Sequence, residues 1–498
     1  MLHIGRQHLS TRDVGTMSDP QSTITLDEEL WSRIASSRQM VSDAIERGAT
    51  VYGVTTGFGA LSGTPISRSD ARQLQLNLLR SHAAGTGEEL AAPIVRAMLG
   101  LRAHALALGY SGVRLELIQQ LVAMFNRGVI PVVPAQGSVG ASGDLAPLAH
   151  LALPLVGEGH VRINGEIVDG AEGLRRVGLQ PIDLEPKEAL ALINGTQAMT
   201  AIATIAARRA SRVVDAMIAS GAMTVIALNG RTSPFDALIH RARPHHGQVD
   251  VARQLREMLE GWTGKDTPGR PVQDRYSLRS MPQVIGAALD TLTFVEGILE
   301  TEINSATDNP LFFPEEGSIL NGANFHGHPV ALASDHLKTA MASLTSYSER
   351  RIASLVDPRG SNLPAFLARE PGLNSGLMIP HYVAASLVSE NRALSHPASV
   401  DSLSTSADVE DYNSMGTIAA RNLSTVVENA ARVVAIELIC ASQAIELQGA
   451  TLASGPLAAA FERVREISPF LERDRFGVGT EIETVAQAVL NGAVVEEN

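Results

Sequence analysis

Residues 137–150 contain a triplet that could make a reactive group from the protein chain alone. Ala141, Ser142 and Gly143 follow one another there, between further glycines. If the Gly143 nitrogen attacks the Ala141 carbonyl carbon, a five-membered ring closes. Loss of water from the ring and from the Ser142 hydroxyl then leaves an exocyclic methylidene, which is an electrophile. Glycine leaves the nitrogen unhindered, alanine adds a small substituent, and serine carries the hydroxyl that is eliminated.

The same residues also fit a purely structural loop. Three glycines within residues 137–143 permit a tight turn, because glycine has no Cβ to penalise positive φ. Their spacing is Gly-x-x-Gly-x-x-Gly, which differs from the Gly-x-Gly-x-x-Gly of dinucleotide sites, and no Lys-Ser/Thr pair follows as in nucleotide loops. The pattern by itself favours a glycine-rich turn before a helix, or a phosphate cradle.

A family resemblance favours the reactive group. The run Gly-Ser-Val-Gly-Ala-Ser-Gly-Asp-Leu-Ala-Pro-Leu-Ala-His at 137–150 resembles the signature of the histidine and aromatic amino-acid ammonia-lyases. The resemblance implies that Ala141, Ser142 and Gly143 become 4-methylidene-imidazol-5-one, with no external cofactor and no metal. It also implies an enzyme that eliminates ammonia from a small amino-acid substrate.

Three motifs in the first 200 residues match the same family. Tyr52 lies in Val-Tyr-Gly-Val-Thr-Thr-Gly-Phe-Gly, where the family carries a catalytic tyrosine. Ser81 and His82 fall where the family sets its specificity, and Asn194 matches an asparagine that contacts substrate and cofactor. By residue type alone they would be a strand tyrosine, a helix-end pair and a turn asparagine.

A fourth motif, Gln-Asp-Arg-Tyr-Ser-Leu-Arg, begins at Gln273. Without the family it would be an exposed loop. The resemblance implies that Tyr276 assists catalysis with support from Gln273, and that Arg279 binds the substrate carboxylate. A planar, bidentate donor suits that task.

The last matching motifs also contain the departures from the family. Phe325 matches a phenylalanine that lies against the methylidene ring, Met378 a pocket methionine, and Glu410 a glutamate near the imidazole in histidine lyases. After Glu410, however, Tyr412 stands where those enzymes usually have histidine, and Ser-Met-Pro at 280–282 replaces the usual Cys-Gln-Pro. These changes affect the substrate assignment more than the reaction.

Composition excludes several classes of protein. The net charge is −13 without a basic run, which argues against nucleic-acid binding. The single cysteine, Cys440, rules out an intramolecular disulfide and lies in an apolar run typical of a core thiol. We find neither a signal-peptide pattern nor an uninterrupted apolar stretch of membrane-spanning length. These features predict a cytoplasmic protein with no membrane partner.

Hydrophobic periodicity predicts a mainly α fold with two consecutive parts. A mixed N-terminal lobe, residues 1–196, would carry the Ala-Ser-Gly loop, and residues 197–498 would form a helical bundle, as in the ammonia-lyase and fumarase-like folds. Within the lobe, we expect a helix over residues 26–45 with a Thr25/Glu28 capping box, and a hairpin turning at Asn164-Gly165.

The resemblance leaves several functions open. Because His82 and Glu410 could both bind an imidazole, we predict conversion of L-histidine to trans-urocanate and ammonia. The alternatives are a tyrosine or phenylalanine ammonia-lyase, a 2,3-aminomutase with the same machinery, and a non-catalytic relative that binds an amino acid. The family also implies a homotetramer with shared active sites.

Overall fold

Helices account for most of the structure, as the alanine- and leucine-rich composition favours. The computed structural model describes residues 1–64, 66–67, 70–264, 272–450, 452 and 455–495. The helices are α1 (Thr11–Met17), α2 (Trp31–Glu46), α3 (Ala71–His82), α4 (Ala92–Ala107), α5 (Leu115–Asn126), α6 (Leu145–Ala152), α7 (Gly170–Arg176), α8 (Glu188–Ile193), α9 (Gln197–Ala227), α10 (Ala237–Arg241), α11 (His246–Met258), α12 (Tyr276–Arg279), α13 (Met281–Ile303), α14 (His328–Val356), α15 (Pro358–Ser361), α16 (Met378–Leu394), α17 (Gly416–Leu447), α18 (Pro456–Ile467) and α19 (Val478–Leu490).

The strands are short and pair in small sheets. They are β1 (Leu2–Ile4), β2 (Ile24–Leu26), β3 (Thr86–Glu89), β4 (Ile130–Pro131), β5 (Pro134–Gln136), β6 (His160–Ile163), β7 (Glu166–Asp169), β8 (Leu311–Phe313) and β9 (Ser318–Leu320). β1 pairs in parallel with β2, while the pairs β3–β5, β4–β6, β6–β7 and β8–β9 are antiparallel. The predicted hairpin is confirmed as β6–β7. Its two turn residues, Asn164 and Gly165, have φ of 48° and 87°, as a two-residue turn of this hand requires.

The capping prediction near residue 25 was wrong. Thr25 lies in β2, and α2 begins only at Trp31 after a short 3-10 turn at Glu28–Leu30. Parallel pairing with β1 holds Thr25 extended, so it cannot cap a helix. A capping box occurs instead at α1, where Ser10 Oγ accepts from Asp13 N at 3.3 Å and Ser10 N donates to Asp13 Oδ2 at 2.8 Å.

The chain forms two compact units that alternate along the sequence. Unit 1 consists of residues 1–205, 296–335 and 397–421, and unit 2 of residues 206–295, 336–396 and 422–498. The long helices α9, α13, α14 and α17 each begin in one unit and end in the other, so the chain passes repeatedly between them. This differs from the two consecutive parts that we expected, and a domain boundary at residue 196 stays a prediction.

In unit 1 the core is built around α4, which is buried from Val95 to Ala107. Helices α1 and α5 pack against α4, while α3, α6 and α8 contact one another. The loop that carries Ala141, Ser142 and Gly143 lies between β5 and α6. Helix α6 follows this loop directly, and α8 ends just before Asn194. The apolar contacts of both helices with the core therefore hold the loop and Asn194 in place.

In unit 2, a buried ion pair joins the long helices. Arg351 on α14 and Glu437 on α17 are fully buried, with Nη2 and Oε2 2.7 Å apart. Thr224 on α9 donates to Glu437 Oε1 at 2.9 Å, and Ser348 donates to Oε2 at 2.6 Å. Three helices thus meet at one carboxylate. Cys440 is buried, and so are the apolar residues that recur with helical spacing along α14 and α17: Leu337, Met341, Leu344, Ile352, Leu355, Val427, Ala430, Val434, Leu438, Ala441 and Ile445.

One described helix, α9, is long and apolar enough to cross a membrane by length and composition. However, 83% of its most apolar window is buried inside the protein. Charged residues, among them Arg212 and Asp215, interrupt α9, so this helix does not contradict the expectation that no uninterrupted apolar stretch reaches membrane-spanning length.

The Arg351–Glu437 pair yields a stability prediction. Glu437→Gln leaves the Arg351 guanidinium buried without a counter-charge, and breaking such a pair costs about 3–5 kcal/mol. We expect a clear fall in the denaturant midpoint followed by circular dichroism. The matched control is Glu483→Gln, which breaks a part-exposed pair with Arg432 and should cost less than about 1 kcal/mol. Equal shifts for the two variants would contradict the assignment.

Candidate active site

The Ala-Ser-Gly loop has a left-handed backbone that favours glycine at two positions. Gly143 has φ of +77°, and a Cβ there would lie 2.1 Å from the Gly195 carbonyl oxygen. Gly140 has φ of +66°, and a Cβ there would lie 2.1 Å from Ser414 Oγ. Both the conformation and the close approach exclude a side chain. The glycine spacing noted in the sequence thus serves close packing of the loop against residues distant in the chain.

Asp144 anchors the loop from inside the protein. Its backbone nitrogen donates to the Gly195 carbonyl oxygen at 2.7 Å. Its carboxylate accepts from Ser138 Oγ at 3.0 Å, from the Met199 nitrogen at 2.8 Å and from Thr417 Oγ1. Complete burial raises its pKa to about 6, although these donors favour the ionised form. One buried carboxyl group therefore joins three separate segments of unit 1 around the loop.

A cavity of about 940 Å³ opens beside the loop within unit 1. Eight of the predicted site residues line it: Tyr52, Ser81, His82, Ala141, Ser142, Asn194, Phe325 and Glu410. Gly143 directly follows Ser142 and bridges to Gly195. The structure thus brings together residues that span more than 350 positions of the sequence.

Tyr52 lies in a turn after α2, not in a strand. Its hydroxyl oxygen accepts from the Gly59 nitrogen at 3.1 Å, and its ring meets Phe58 edge-to-face with centroids 6.4 Å apart. Burial raises the pKa of Tyr52 above its ordinary value, and the nearby Glu410 charge adds to the rise, whereas the Gly59 donor opposes it. In this environment the phenol keeps its proton at neutral pH.

His82 ends α3 and is held in one tautomer. Its Nδ1 lies 2.9 Å from the Leu78 carbonyl oxygen, which can only accept, so Nδ1 carries the proton. Ser81 Oγ lies 3.0 Å from the same nitrogen. Burial lowers the pKa of His82, which keeps the ring neutral near pH 7. The other nitrogen, Nε2, is then a hydrogen-bond acceptor.

Glu410 links the Ala-Ser-Gly loop to the segment before α17. Ser142 Oγ donates to Glu410 Oε1 at 3.2 Å, and Thr405 Oγ1 donates to Oε2 at 2.9 Å. Asn413 Nδ2 donates to the Leu403 carbonyl oxygen at 2.6 Å and so closes this segment on itself. The carboxylate is therefore oriented by one fixed donor and one donor from the reactive triplet.

Four predicted residues are not among those that line the cavity. Gln273, Tyr276, Arg279 and Met378 all belong to unit 2. Tyr276 begins α12 with 73% of its surface exposed, and the Arg279 guanidinium lies over its ring, 4.7 Å from the centroid. Gln273 is also exposed, and Met378 begins α16.

Ser280 and Tyr412, which differ from the residues usual in the family, each contact neighbouring residues. Ser280 Oγ donates to the Tyr276 carbonyl oxygen at 2.6 Å and lies 3.1 Å from Tyr347 Oη, which donates to the same carbonyl at 2.8 Å. Tyr412 lines the cavity, and its ring stacks on His326 with centroids 6.1 Å apart. Its carbonyl oxygen accepts from His326 Nε2 at 3.1 Å.

Sequence reasoning missed a polar group at the cavity wall, formed by Asp308, Asn309 and Lys187. Asn309 lines the cavity, whereas Asp308 and Lys187 are buried directly behind Asn194. In the sequence, Asp308 and Asn309 before a proline are typical of an ordinary turn, and Lys187 after a proline is typical of a surface residue. Only their complete burial marks them as unusual.

Comparisons with known proteins identify the family of this chain. A model of the aromatic amino acid lyase family matches residues 9–466. A protein named histidine ammonia-lyase from Symbiobacterium thermophilum is 48% identical over 489 residues, which cover 98% of this chain and 96% of that protein. A protein of the same name from Geobacillus thermodenitrificans is 52% identical over 449 residues, covering 90% and 89%.

Solved structures show the same fold. The crystal structure of histidine ammonia-lyase from Trypanosoma cruzi superposes with a TM-score of 0.91 at 42% identity, covering 98% of this chain and 92% of that chain. Tyrosine aminomutase from Streptomyces globisporus gives 0.94 at 37% identity, covering 99% and 97%. The fold is thus a known architecture, and this chain belongs to the aromatic amino acid lyase family as a carbon–nitrogen lyase.

Proposed function

We propose that the enzyme eliminates ammonia from L-histidine to give trans-urocanate. The observation that carries the proposal is that Glu410 and His82 share one cavity with Ala141 and Ser142. A carboxylate next to a neutral histidine suits a ring that donates hydrogen bonds, and an unpaired carboxylate in an apolar pocket would be costly. The relatives from Symbiobacterium and Geobacillus carry the name histidine ammonia-lyase, which supports the same substrate.

The loop fits 4-methylidene-imidazol-5-one as the resident group. Cyclisation needs an unhindered nitrogen at Gly143, and a Cβ at this position would meet Gly195. When formed, the group supplies an electrophile that makes the substrate amine a better leaving group. Asp144 and Ser138 hold the loop that contains it, and no external cofactor is required.

Glu410 then becomes available to the substrate. Its Oε1 accepts from the Ser142 hydroxyl, which the mature group no longer contains, while Thr405 still holds Oε2. Loss of that donor leaves one carboxylate oxygen for a substrate N–H. His82 Nε2 is a second acceptor, so the two residues can bind the two N–H groups of an imidazolium ring.

Tyr52 is proposed as the base that takes the β-proton. This role requires the phenolate, whereas burial and the Glu410 charge raise the pKa of Tyr52. The Gly59 N–H at its oxygen already favours the phenolate. The completed site must add positive charge or further donors at the same oxygen before the tyrosine can act as a base near neutral pH.

The remaining roles belong to residues of unit 2. Arg279 would bind the substrate carboxylate, Tyr276 and Gln273 would assist, and Met378 would line the pocket, with Phe325 of unit 1 against the resident group. Since the side chains of Tyr276 and Gln273 are exposed, a neighbouring copy would supply them.

The proposal therefore includes a homotetramer with shared active sites, located in the cytoplasm. Exposed apolar side chains support subunit burial. On α16, Ile379, Tyr382 and Val383 lie on one face, with exposures of 56%, 61% and 39%. Such a face on one long helix is typical of a subunit interface.

A second candidate is a tyrosine-specific lyase or aminomutase. Tyr412 at the cavity wall replaces the histidine usual in histidine lyases, and the tyrosine aminomutase noted above is 37% identical. A phenol donates one hydrogen bond, so the substrate would donate to His82 and would leave Glu410 without a hydrogen-bond partner.

The cofactor assignment predicts a mass difference. The mature protein should be lighter than its sequence by two water molecules, whereas Ser142→Ala and Gly143→Ala should keep the full sequence mass. The matched control is Gly128→Ala, because Gly128 has a similar φ of +68° with no atom within 4 Å of its Cβ position. The mass of that variant should still be lower than its sequence mass by two water molecules. An active wild-type preparation with the plain sequence mass would contradict the assignment, and an inactive one would favour a non-catalytic amino-acid binder.

The substrate assignment is tested by an ultraviolet assay with histidine, tyrosine and phenylalanine side by side. We expect urocanate only. Glu410→Gln should reduce the rate with histidine at least about tenfold, since it removes a charged acceptor. Glu316→Gln, on the exposed turn between β8 and β9, is the control and should leave the rate unchanged. Cinnamate or coumarate without urocanate would overturn the choice of substrate.

Assembly is tested by light scattering coupled to gel filtration. We expect the mass of four chains, and Tyr382→Glu on α16 should shift the enzyme towards smaller species with less activity. The control Ile167→Glu changes an apolar residue of similar exposure on the β6–β7 hairpin and should leave the tetramer intact. A fully active monomer would refute shared active sites.

A further inference from the structure

The Asn194 side chain is fixed by acceptors on one side. It follows α8, is 2% exposed, and lines the cavity. Its amide nitrogen, Nδ2, donates to Asp308 Oδ1 at 3.2 Å and to the Asn309 carbonyl oxygen at 3.0 Å. An amide nitrogen carries two hydrogens, and these two acceptors can take both of them. The side chain has no N–H left to offer to the cavity.

The opposite orientation of this amide is excluded by its neighbours. Rotation by 180° would place Asn194 Oδ1 against a carboxylate oxygen and a carbonyl oxygen, neither of which can donate. The oxygen and nitrogen of an amide are assigned from such networks, and here both partners require the nitrogen. Among the described residues, Asn194 Oδ1 has no hydrogen-bond donor, so it remains as an acceptor at the cavity wall.

Lys187 forms a buried ion pair with Asp308 at this position. Its Nζ donates to Asp308 Oδ1 at 3.0 Å, to Oδ2 at 2.8 Å and to the Asn309 carbonyl oxygen at 3.3 Å. Both charged groups are buried, with exposures of 0% and 1%. Lys187 also has φ of 82°, a conformation that a non-glycine residue keeps only when its surroundings hold it. The pair therefore forms a rigid support behind Asn194.

We propose that Asp308 and Lys187 are positioning residues that fix Asn194 as a hydrogen-bond acceptor for the α-amino group of the substrate. This rests on the proposed function only in that the ligand is an α-amino acid. The carboxylate of such a ligand has acceptors alone and cannot bind Asn194 Oδ1, whereas the amino group carries N–H donors. Asn194 thus orients the amine that leaves, and the carboxylate must be bound by other residues.

Two ligands distinguish binding of the substrate amine from binding of its carboxylate. Histamine keeps the ring and the amine but lacks the carboxylate, and imidazole-4-propionate keeps the ring and the carboxylate but lacks the amine. Their dissociation constants are measured by calorimetry on purified enzyme. If the wild-type enzyme turns over tyrosine in place of histidine, tyramine and 3-(4-hydroxyphenyl)propionate are used. Failure of the histidine assignment then changes only the probe pair.

Asp308→Asn is the main variant. The new amide can donate to residue 194, which lets the Asn194 amide rotate and present N–H groups to the cavity. We expect histamine binding to weaken at least about tenfold, as for one hydrogen bond to a charged group, and imidazole-4-propionate binding to change less than about threefold. Asn194→Ala should show the same selective loss if Asp308→Asn does not fold.

The exchanged pair, Asn194→Asp with Asp308→Asn, tests the orientation directly. It restores one donor behind residue 194 and an acceptor oxygen at the cavity wall, so histamine binding should return to within about threefold of wild type. The control is Asp335→Asn, another buried carboxylate of unit 1, which accepts from the Ser399 nitrogen at 2.8 Å. It should leave the ratio of the two dissociation constants unchanged.

A general structural role would weaken both probes alike. Equal losses with Asp308→Asn, or a selective loss of imidazole-4-propionate, would overturn the proposal.

Discussion

The structure of the candidate active site depends on the burial of one carboxyl group, that of Asp144. Its oxygens join the glycine loop to the start of α9 and to the start of α17 through Met199 and Thr417. Burying a carboxyl group is expensive unless donors surround it, and here three donors do so. The remaining cost appears as a pKa near 6. The loop is therefore held by hydrogen bonds that form only when three distant segments have come together.

Close backbone packing complements this anchor. Gly143 lies against Gly195, and Gly195 in turn lies against the buried Arg102 guanidinium, so neither position has room for a Cβ. Arg102 Nη1 donates to Gln197 Oε1 at 2.5 Å, and burial lowers the pKa of Arg102 to about 10. The peptide that contains Asn194 thus lies between the reactive loop and a group of buried charges. Such an arrangement leaves little freedom to the side chains that face the cavity.

Three polar groups of the cavity share the same hydrogen-bonding character. Glu410, His82 Nε2 and Asn194 Oδ1 are all hydrogen-bond acceptors in their observed environments. A ligand rich in N–H donors complements them, and the only donor to Glu410 from the reactive triplet is one that cyclisation would remove. Tyr52 differs, because its environment favours the protonated phenol. Residues from unit 2 of another subunit would change that balance in the assembled enzyme that we propose.

Much of this protein is determined by the sequence itself. Short-range signals sufficed for the long helices, the Asn164-Gly165 hairpin and the Ala-Ser-Gly loop, because periodicity, turn residues and contiguous motifs are local properties. The local pattern gave a wrong prediction at Thr25. This residue pairs with a strand more than 20 residues away and does not cap a helix. Only the tertiary structure decided that Lys187 and Asp308 are buried behind Asn194 and that burial raises the pKa of Tyr52. Burial and the direction of a hydrogen bond depend on partners distant in the chain, and no spacing of residues specifies them.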